Sequence, residues 1–365
     1  MTVAKKCMVV LQHGSHGTHL DLACLSQYLK AKDPRLIVWE SYKNEGMRTD
    51  DGVVPCGERL ADDLIREIKE LCSTPTQSGG DGGREKVVVQ MSFVCHSMGG
   101  LIVREALPRV WDKVESQKGK LEIEWNMFCT IATPHGGVCQ MASTLRYYLG
   151  RLISFFYSTS YHDMFLGSDV LTDRLLSPKH LSCLAAFKRR LLVSSINDIL
   201  VPLMSSGFML TPSQRGLAGD MLREEQKQLC AFNEREMYDK MRTITEIPKE
   251  EWPANKFLAE RRIAKTLVQA VGNFDSVVVD LRSPRLEELY EDRKRRTTAW
   301  YGANKRSHQA MVCKPPFDTV EEAFGFVSHM VGDEVLATFQ EQKGRTMFPL
   351  PPAHTHTHTL SPNYF

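Results

Sequence analysis

The sequence predicts an α/β fold: a mostly parallel sheet of about six strands flanked by helices, with a helical cap inserted over it. Two observations carry that expectation. Short β-rich runs alternate with amphipathic stretches through the first two-thirds of the chain, the pattern of parallel strands covered by returning helices. The run Val94-Cys95-His96-Ser97-Met98-Gly99-Gly100 stands directly after the clearest strand and directly before a helical stretch.

Taken in order, residues 7–12 read as a buried strand. Thr18 then caps a helix with Leu20, Cys24, Leu25, Tyr28 and Leu29 on one face and Asp21 in its first turn. Residues 36–39 form a second strand. Pro55 opens a second helix whose apolar face is Leu60, Leu64, Ile65, Ile68 and Leu71. Residues 73–84, rich in Gly, Ser and Thr, read as a loop. Strands follow at 86–94, 125–132, 191–196 and 276–281, with a helical stretch at 101–107. Thr319 and Glu322 form a capping box for the last helix, ahead of Val320, Phe324, Val327 and Val331.

Three segments depart from the alternation. Residues 138–190 read as the cap; within them Leu145, Tyr148, Leu149, Leu152, Ile153 and Phe156 make one apolar stripe at helical spacing. That stripe is expected to line an acyl pocket and to open at a lipid surface. Residues 215–265 are a charged helical insertion with a solvated face. Residues 341–365, Pro-rich with His-Thr repeats, are a tail that cannot bury enough surface to order itself. The expectation is therefore one domain over 1–340, with the cap, the insertion and the tail as appendages.

Composition excludes several classes. The 365 residues are 42% hydrophobic, enough for a core without disulfide or metal staples. With 46 basic and 44 acidic side chains the net charge is +2, and no global field favours nucleic acid. The ten cysteines contain no C-x-x-C pair, so they read as free thiols in a reducing compartment, with no zinc site. The apolar run near the N-terminus is too short for a signal peptide, and no stretch approaches the ~20 apolar residues of a membrane span. A cytoplasmic protein with peripheral contact at a membrane or lipid-droplet surface is expected.

The Ser97 run is the one that carries chemistry. A nucleophile elbow reverses a strand into a helix within one turn and presents its serine in strained backbone geometry above the sheet. Its usual form is G-x-S-x-G; here Cys95 takes the first glycine's place, small enough for the turn. The loop after the first strand, His13-Gly14-Ser15-His16-Gly17, supplies one oxyanion N–H in such a design and the residue after the nucleophile the other. That assigns the donors to Ser15 and Met98, with His13, Gly14 and His96 lining the cleft.

The acid and the base should follow the serine in that order. Asp198 comes directly after the strand at 191–196, and Val201-Pro202 turns the chain away. Asp163, Asp169 and Asp173 lie in the cap without a preceding strand. Of twelve histidines, seven precede Asp198, His329 lies on the last helix and three are in the tail. His308 remains, in a loop between the last strand and the last helix. His135, in Thr133-Pro134-His135-Gly136-Gly137 at another strand end, reads as structural or cleft-lining.

These motifs, joined by Asp51-Gly52, by Gly57-Glu58-Arg59-Leu60-Ala61, by Asn197-Asp198 and by Ser307-His308-Gln309-Ala310, span about residues 7–335. In combination the chain resembles the serine-esterase family of Rog-type lipase-like proteins in the α/β-hydrolase superfamily. The resemblance implies an α/β-hydrolase fold, a Ser97–Asp198–His308 triad, a lipid or other acyl-ester substrate and no cofactor. Two other readings remain open: a thioesterase or lipid-linked deacylase using the same triad, and a catalytically idle hydrolase fold that binds a partner.

Overall fold

The computed structural model describes residues 3–73, 86–117, 119–138, 158–195, 198, 200–208, 242–244, 258–272, 274–279, 304–314 and 325–340. Strand β1 (Val3–Gln12) leads through a 3-10 turn (His19–Leu22) to α1 (Ala23–Lys32) and β2 (Ile37–Glu40). A second 3-10 turn (Gly46–Asp51) enters α2 (Val53–Ser73), followed by β3 (Lys86–His96), α3 (Gly99–Glu115) and β4 (Leu121–Ile131). Then come α4 (Thr159–Met164), α5 (Pro178–Ala185), β5 (Arg189–Ser195), α6 (Leu203–Ser206) and β6 (Arg242–Ile244). The last described elements are α7 (Leu258–Val271), β7 (Asp275–Val279), α8 (Asn304–Ala310) and α9 (Phe326–Gln340).

The strands join in the order β2-β1-β3-β4-β5-β7-β6. Six are parallel, and three-residue β6 pairs antiparallel with β7 at the edge. A parallel sheet needs cover on both faces, and β3 is buried from Val87 to His96 without a break. Side chains alternate between two cores. Val10, Phe93, Cys95 and Leu192 pack with α2, α3, α5 and α7, whereas Val9, Leu11, Val94 and Val193 pack with α1 and α9. The first core carries an aromatic stack in which Trp125 lies 5.7 Å from Trp111 and 5.4 Å from Phe187.

Several boundaries differ from the sequence reading, each for a physical reason. Thr18 makes no side-chain cap; the chain first forms the 3-10 turn, and α1 begins at Ala23. Helix α2 starts before Pro55, which sits in the first turn where a missing N–H costs nothing. Helix α3 runs through Pro108 to Glu115, beyond the predicted stretch, because Val110 past the proline is fully buried and holds it in place.

The charged stretch 215–265 is helical only in part where it is described. Arg242–Ile244 is strand, and α7 buries Ile263, Ala264 and Leu267 in the core, so its inner face is not solvated. The apolar stripe at 145–156, most of the loop at 73–84, Thr319 and Glu322, and the tail at 341–365 lie outside the described residues. Among the described residues no helix is long and apolar enough to cross a membrane, and the eight cysteines are free thiols.

Candidate active site

All six parallel strands end at one edge, and the chain runs from β1 outward to β2 before returning to β3. That reversal leaves a crevice between the carboxyl ends of β1 and β3, where open α/β sheets hold ligands. Gln12 at the end of β1 pairs with Cys95 near the end of β3. The chain therefore brings the His13–Gly17 turn and the Ser97 turn side by side.

Ser97 has φ +54°, left-handed backbone that a residue with a Cβ seldom adopts and that costs about 1–3 kcal/mol. Three bonds hold it there. Its N–H donates to Ile131 O at 2.8 Å, and its carbonyl accepts from the Thr133 hydroxyl at 2.8 Å and from Gly100 N at 3.2 Å. Sequence reasoning gave Thr133 no role, although it opens a motif already noted.

Two of the flanking glycines are sterically required. A Cβ on Gly99 would stand 2.5 Å from Gln12 O, and one on Gly100 2.4 Å from Thr133 Oγ1. Cys95 meets no such obstacle, because it still lies on β3 and its side chain enters the core. Burial pushes that thiol well above its ordinary pKa, so it is no thiolate nucleophile.

Gly14 lies against the serine: a Cβ there would stand 2.6 Å from Ser97 Cβ and 3.1 Å from Ser97 Oγ. The Gly14 carbonyl accepts from Gly17 N at 3.1 Å and from His13 Nδ1 at 3.0 Å. Among the described residues, the N–H groups of Ser15 and Met98 meet no acceptor, and Met98 is fully buried.

Asp198 follows β5 and is buried. Its Oδ1 accepts from Leu200 N at 2.8 Å and Val201 N at 3.1 Å, which locks the carboxylate. Its Oδ2 accepts from His308 Nδ1 at 2.6 Å. An acceptor-only carboxylate assigns the proton to Nδ1 and leaves Nε2 bare. His308 lies in short helix α8 instead of the predicted loop. Its ring sits 4.7 Å from that of His96, whose Nε2 donates to the His308 carbonyl at 2.9 Å. Residues 212 positions apart are thus joined beside the elbow.

The remaining predicted residues divide. His13 and His96 are buried in the site, each with one ring nitrogen that meets no partner among the described residues. His135 presents nothing to a cleft. It is buried under the sheet, with Nε2 on Thr130 Oγ1 at 3.1 Å and Nδ1 facing Arg104 Nη1 at 3.5 Å. Asp163 is also committed elsewhere, accepting from Val53 N and from the Ser168 hydroxyl.

Burial holds these histidines neutral. It lowers the pKa of His96 and of His135 well below 6.5, with added repulsion from His308 and Arg104 respectively, and lowers that of His13 more mildly. The folded chain then binds fewer protons than the unfolded chain below pH 6.5, so stability falls as pH drops through that value. His135→Gln keeps an amide for Thr130 and Arg104 but cannot titrate. It is expected to flatten the slope by up to about 1.4 kcal/mol per pH unit, read from urea unfolding at pH 7 and pH 5. Parallel slopes for variant and wild type would remove His135 from the account.

Known proteins resemble this chain in sequence. Residues 3–211 match the model of a family described as "Putative serine esterase (DUF676)". The chain is 29% identical over 224 residues to "Putative lipase ROG1" of Saccharomyces cerevisiae; the match covers 56% of this chain and 29% of that protein, so the chain spans under a third of that relative's length. Among solved structures, phospholipase PlaB from Legionella pneumophila is 17% identical over 52% of this chain and 38% of its own, with a TM-score of 0.34. Aspergillus fumigatus lipase B is 16% identical over 55% and 40%, TM-score 0.34. Carboxyl esterase 2 from Tuber melanosporum is 11% identical over 91% and 77%, TM-score 0.38.

Proposed function

The chain belongs to the family described as "Putative serine esterase (DUF676)", and from that premise we propose that it cleaves carboxylic esters through Ser97, Asp198 and His308. The observation that carries the reading is the buried Asp198–His308 hydrogen bond, set beside a serine held in left-handed backbone. His308 Nε2 takes the Ser97 hydroxyl proton as Oγ attacks the ester carbonyl, and Asp198 steadies the resulting imidazolium. The Ser15 and Met98 N–H groups receive the oxyanion, each such donor being worth about 3–4 kcal/mol in the transition state. Collapse expels the alcohol with the proton from His308. Water, deprotonated by the same nitrogen, then releases the acid and frees Ser97. A carboxylate–imidazole pair so well satisfied, beside the elbow, favours a working enzyme over a catalytically idle fold.

The substrate we propose is a lipid acyl ester met at a membrane or lipid-droplet surface on the cytoplasmic side. Among the described residues the exposed large apolar side chains are Leu20, Tyr42, Met47 and Tyr161. Leu20 follows the His13–Gly17 turn, Tyr42 and Met47 lie on the loop bonded to that turn, and the Tyr161 ring is 6.3 Å from that of His16. Lys43 covers the Tyr42 ring at 4.7 Å. The opposite edge of the sheet carries ion pairs such as Lys5–Glu124 and Lys86–Glu122. The apolar side chains around the crevice, interleaved with the rim's own ion pairs His16–Asp50, His19–Glu45 and Arg59–Asp51, suit a protein that meets a lipid surface with its site first.

The test is a fluorophosphonate probe with the labelled peptide mapped, run beside ester and thioester substrates of one acyl chain. Label on Ser97 with faster ester turnover is expected. Label elsewhere, or none, overturns the nucleophile, and faster thioester turnover moves the reaction class. A Leu20→Glu, Met47→Glu double variant should lose emulsified long-chain ester hydrolysis while keeping the soluble short-chain rate; equal loss on both, or on neither, removes the lipid surface.

A further inference from the structure

The Asp51-Gly52 and Gly57-Arg59 motifs take no part in acyl transfer, yet they build one well-fixed piece of the molecule. Residues 41–52 connect β2 to α2. Arg59, from the second turn of α2, reaches back over this loop. Its Nε donates to Asn44 Oδ1 at 2.8 Å, its Nη1 to Asp51 Oδ2 at 2.6 Å and its Nη2 to Arg48 O at 2.6 Å. Asn44 in turn donates to Cys56 O at 2.9 Å. A planar guanidinium bonded along three directions fixes a loop in a way that a lysine could not.

Thr49 sits at the centre of this loop, fully buried. Its hydroxyl donates to Gly46 O at 2.7 Å, which turns an oxygen lone pair towards His16 N, accepted at 2.9 Å. Gly46 N donates to Gly17 O at 2.9 Å, so the loop grips the His13–Gly17 turn at two points, and His19 N, at the start of the next 3-10 turn, donates to the Glu45 carboxylate at 2.9 Å. His16 has φ +51°, left-handed backbone that needs such support. On its other side the Thr49 carbonyl accepts from the buried Ser160 hydroxyl of α4.

We infer that Thr49 is a positioning residue for acyl transfer, holding the Ser15 N–H towards Ser97 by way of His16. The inference rests on the reading of Ser15 as an oxyanion donor. The Ser15 N–H belongs to the peptide plane of the Gly14 carbonyl, which Gly17 N and His13 Nδ1 already hold from one side. The next peptide plane, Ser15–His16, is held through His16 N by the Thr49 hydroxyl alone among the described residues. The two planes belong to one turn, which His16 N closes on the Thr49 side and Gly17 N on the Gly14 side. Without the hydroxyl the second plane is free to tilt, the Gly17 N–Gly14 O bond that closes the turn loosens, and the first plane swings together with the donor it carries. Oxyanion donors act only when aimed at where charge develops, so misdirection lowers kcat and leaves ground-state binding alone.

The test compares Thr49→Val, which keeps the shape and loses the hydroxyl, with Thr49→Ser, which keeps it. On a soluble short-chain ester the valine variant is expected to lose at least tenfold in kcat with KM within twofold. The serine variant should return to within threefold of wild type. Fluorophosphonate labelling should slow in parallel, and amide exchange at His16 should quicken in the valine variant only. Thr49→Ala stands in should the valine variant not fold. Ser160→Ala, which frees the Thr49 carbonyl and spares its hydroxyl, should keep the wild-type kcat. Valine and serine variants that behave alike, or a valine variant with lowered melting temperature and unchanged kcat, would make Thr49 a structural fastener and overturn the inference. So would a tenfold loss in Ser160→Ala. If Ser97→Ala retains wild-type activity, acyl transfer through Ser97 fails first and takes the inference with it. If Ser97→Ala is inactive and Thr49→Val is not impaired, only the inference fails.

Discussion

Ser97→Ala is expected to lower kcat on a short activated ester by on the order of 10⁵–10⁶-fold while the melting temperature stays close to wild type. The substitution removes the attacking oxygen and little else. Alanine has the same Cβ, so it meets the same left-handed backbone, and the bonds that hold the turn come from backbone groups and from Thr133. The proposed oxyanion donors, Ser15 N–H and Met98 N–H, would remain to supply whatever residual rate persists. More than a few percent of wild-type activity in preparations checked for contaminants would remove Ser97 from the chemistry.

Asp198→Asn should cost on the order of 10³–10⁴-fold in kcat, less than loss of the nucleophile. The carboxylate accepts from His308 Nδ1 and thereby keeps Nε2 unprotonated. An asparagine can turn its amide N–H towards Nδ1, which moves the imidazole proton to Nε2 and removes the base of the proposed mechanism. The partners of Oδ1, Leu200 N and Val201 N, constrain the amide to that unfavourable orientation, because they need its oxygen. Asp163→Asn is the control: its carboxylate serves the first N–H of α2, so stability should drop and kcat should hold. A larger kcat loss at Asp163 than at Asp198 would place the acid on α4.

The parts of the fold legible in the sequence are those set by local chemistry. β3 could be read because seven of its eleven residues are apolar, three of them consecutive valines, and α2 because Leu60, Leu64 and Ile68 recur on one face and are buried there. The first turn of α1 misled because Thr18 and Asp21 look like a cap but bond to each other, at 3.4 Å. The helix carrying His308 was missed because its seven residues are polar at their start and show no apolar period. β6 is three residues long, too short for any period.

In the site, the order of motifs along the chain singled out Ser97, Asp198 and His308, since strand ends can be counted. His135 was left between two roles because its partners, Arg104 and Thr130, are chosen by packing across the sheet. Thr49 gave no signal for the same reason: one buried hydroxyl between two turns has no pattern in one dimension.

The span between acid and base has a consequence for how the protein is made. His308 lies 110 residues beyond Asp198 and 212 beyond His96. At translation rates of about 5–20 residues per second, roughly 5–20 s separate the emergence of the acid from that of the base. If Ser97, Asp198 and His308 act as proposed, a nascent chain in that interval holds the nucleophile, its turn and β1 to β5, but not its base. On the proposed triad the base follows every strand of the sheet and precedes α9, whose Phe326, Val327 and Val331 close the second core. On that proposal a ribosome stalled in the interval would display an inert precursor, and synthesis itself would delay the onset of hydrolysis.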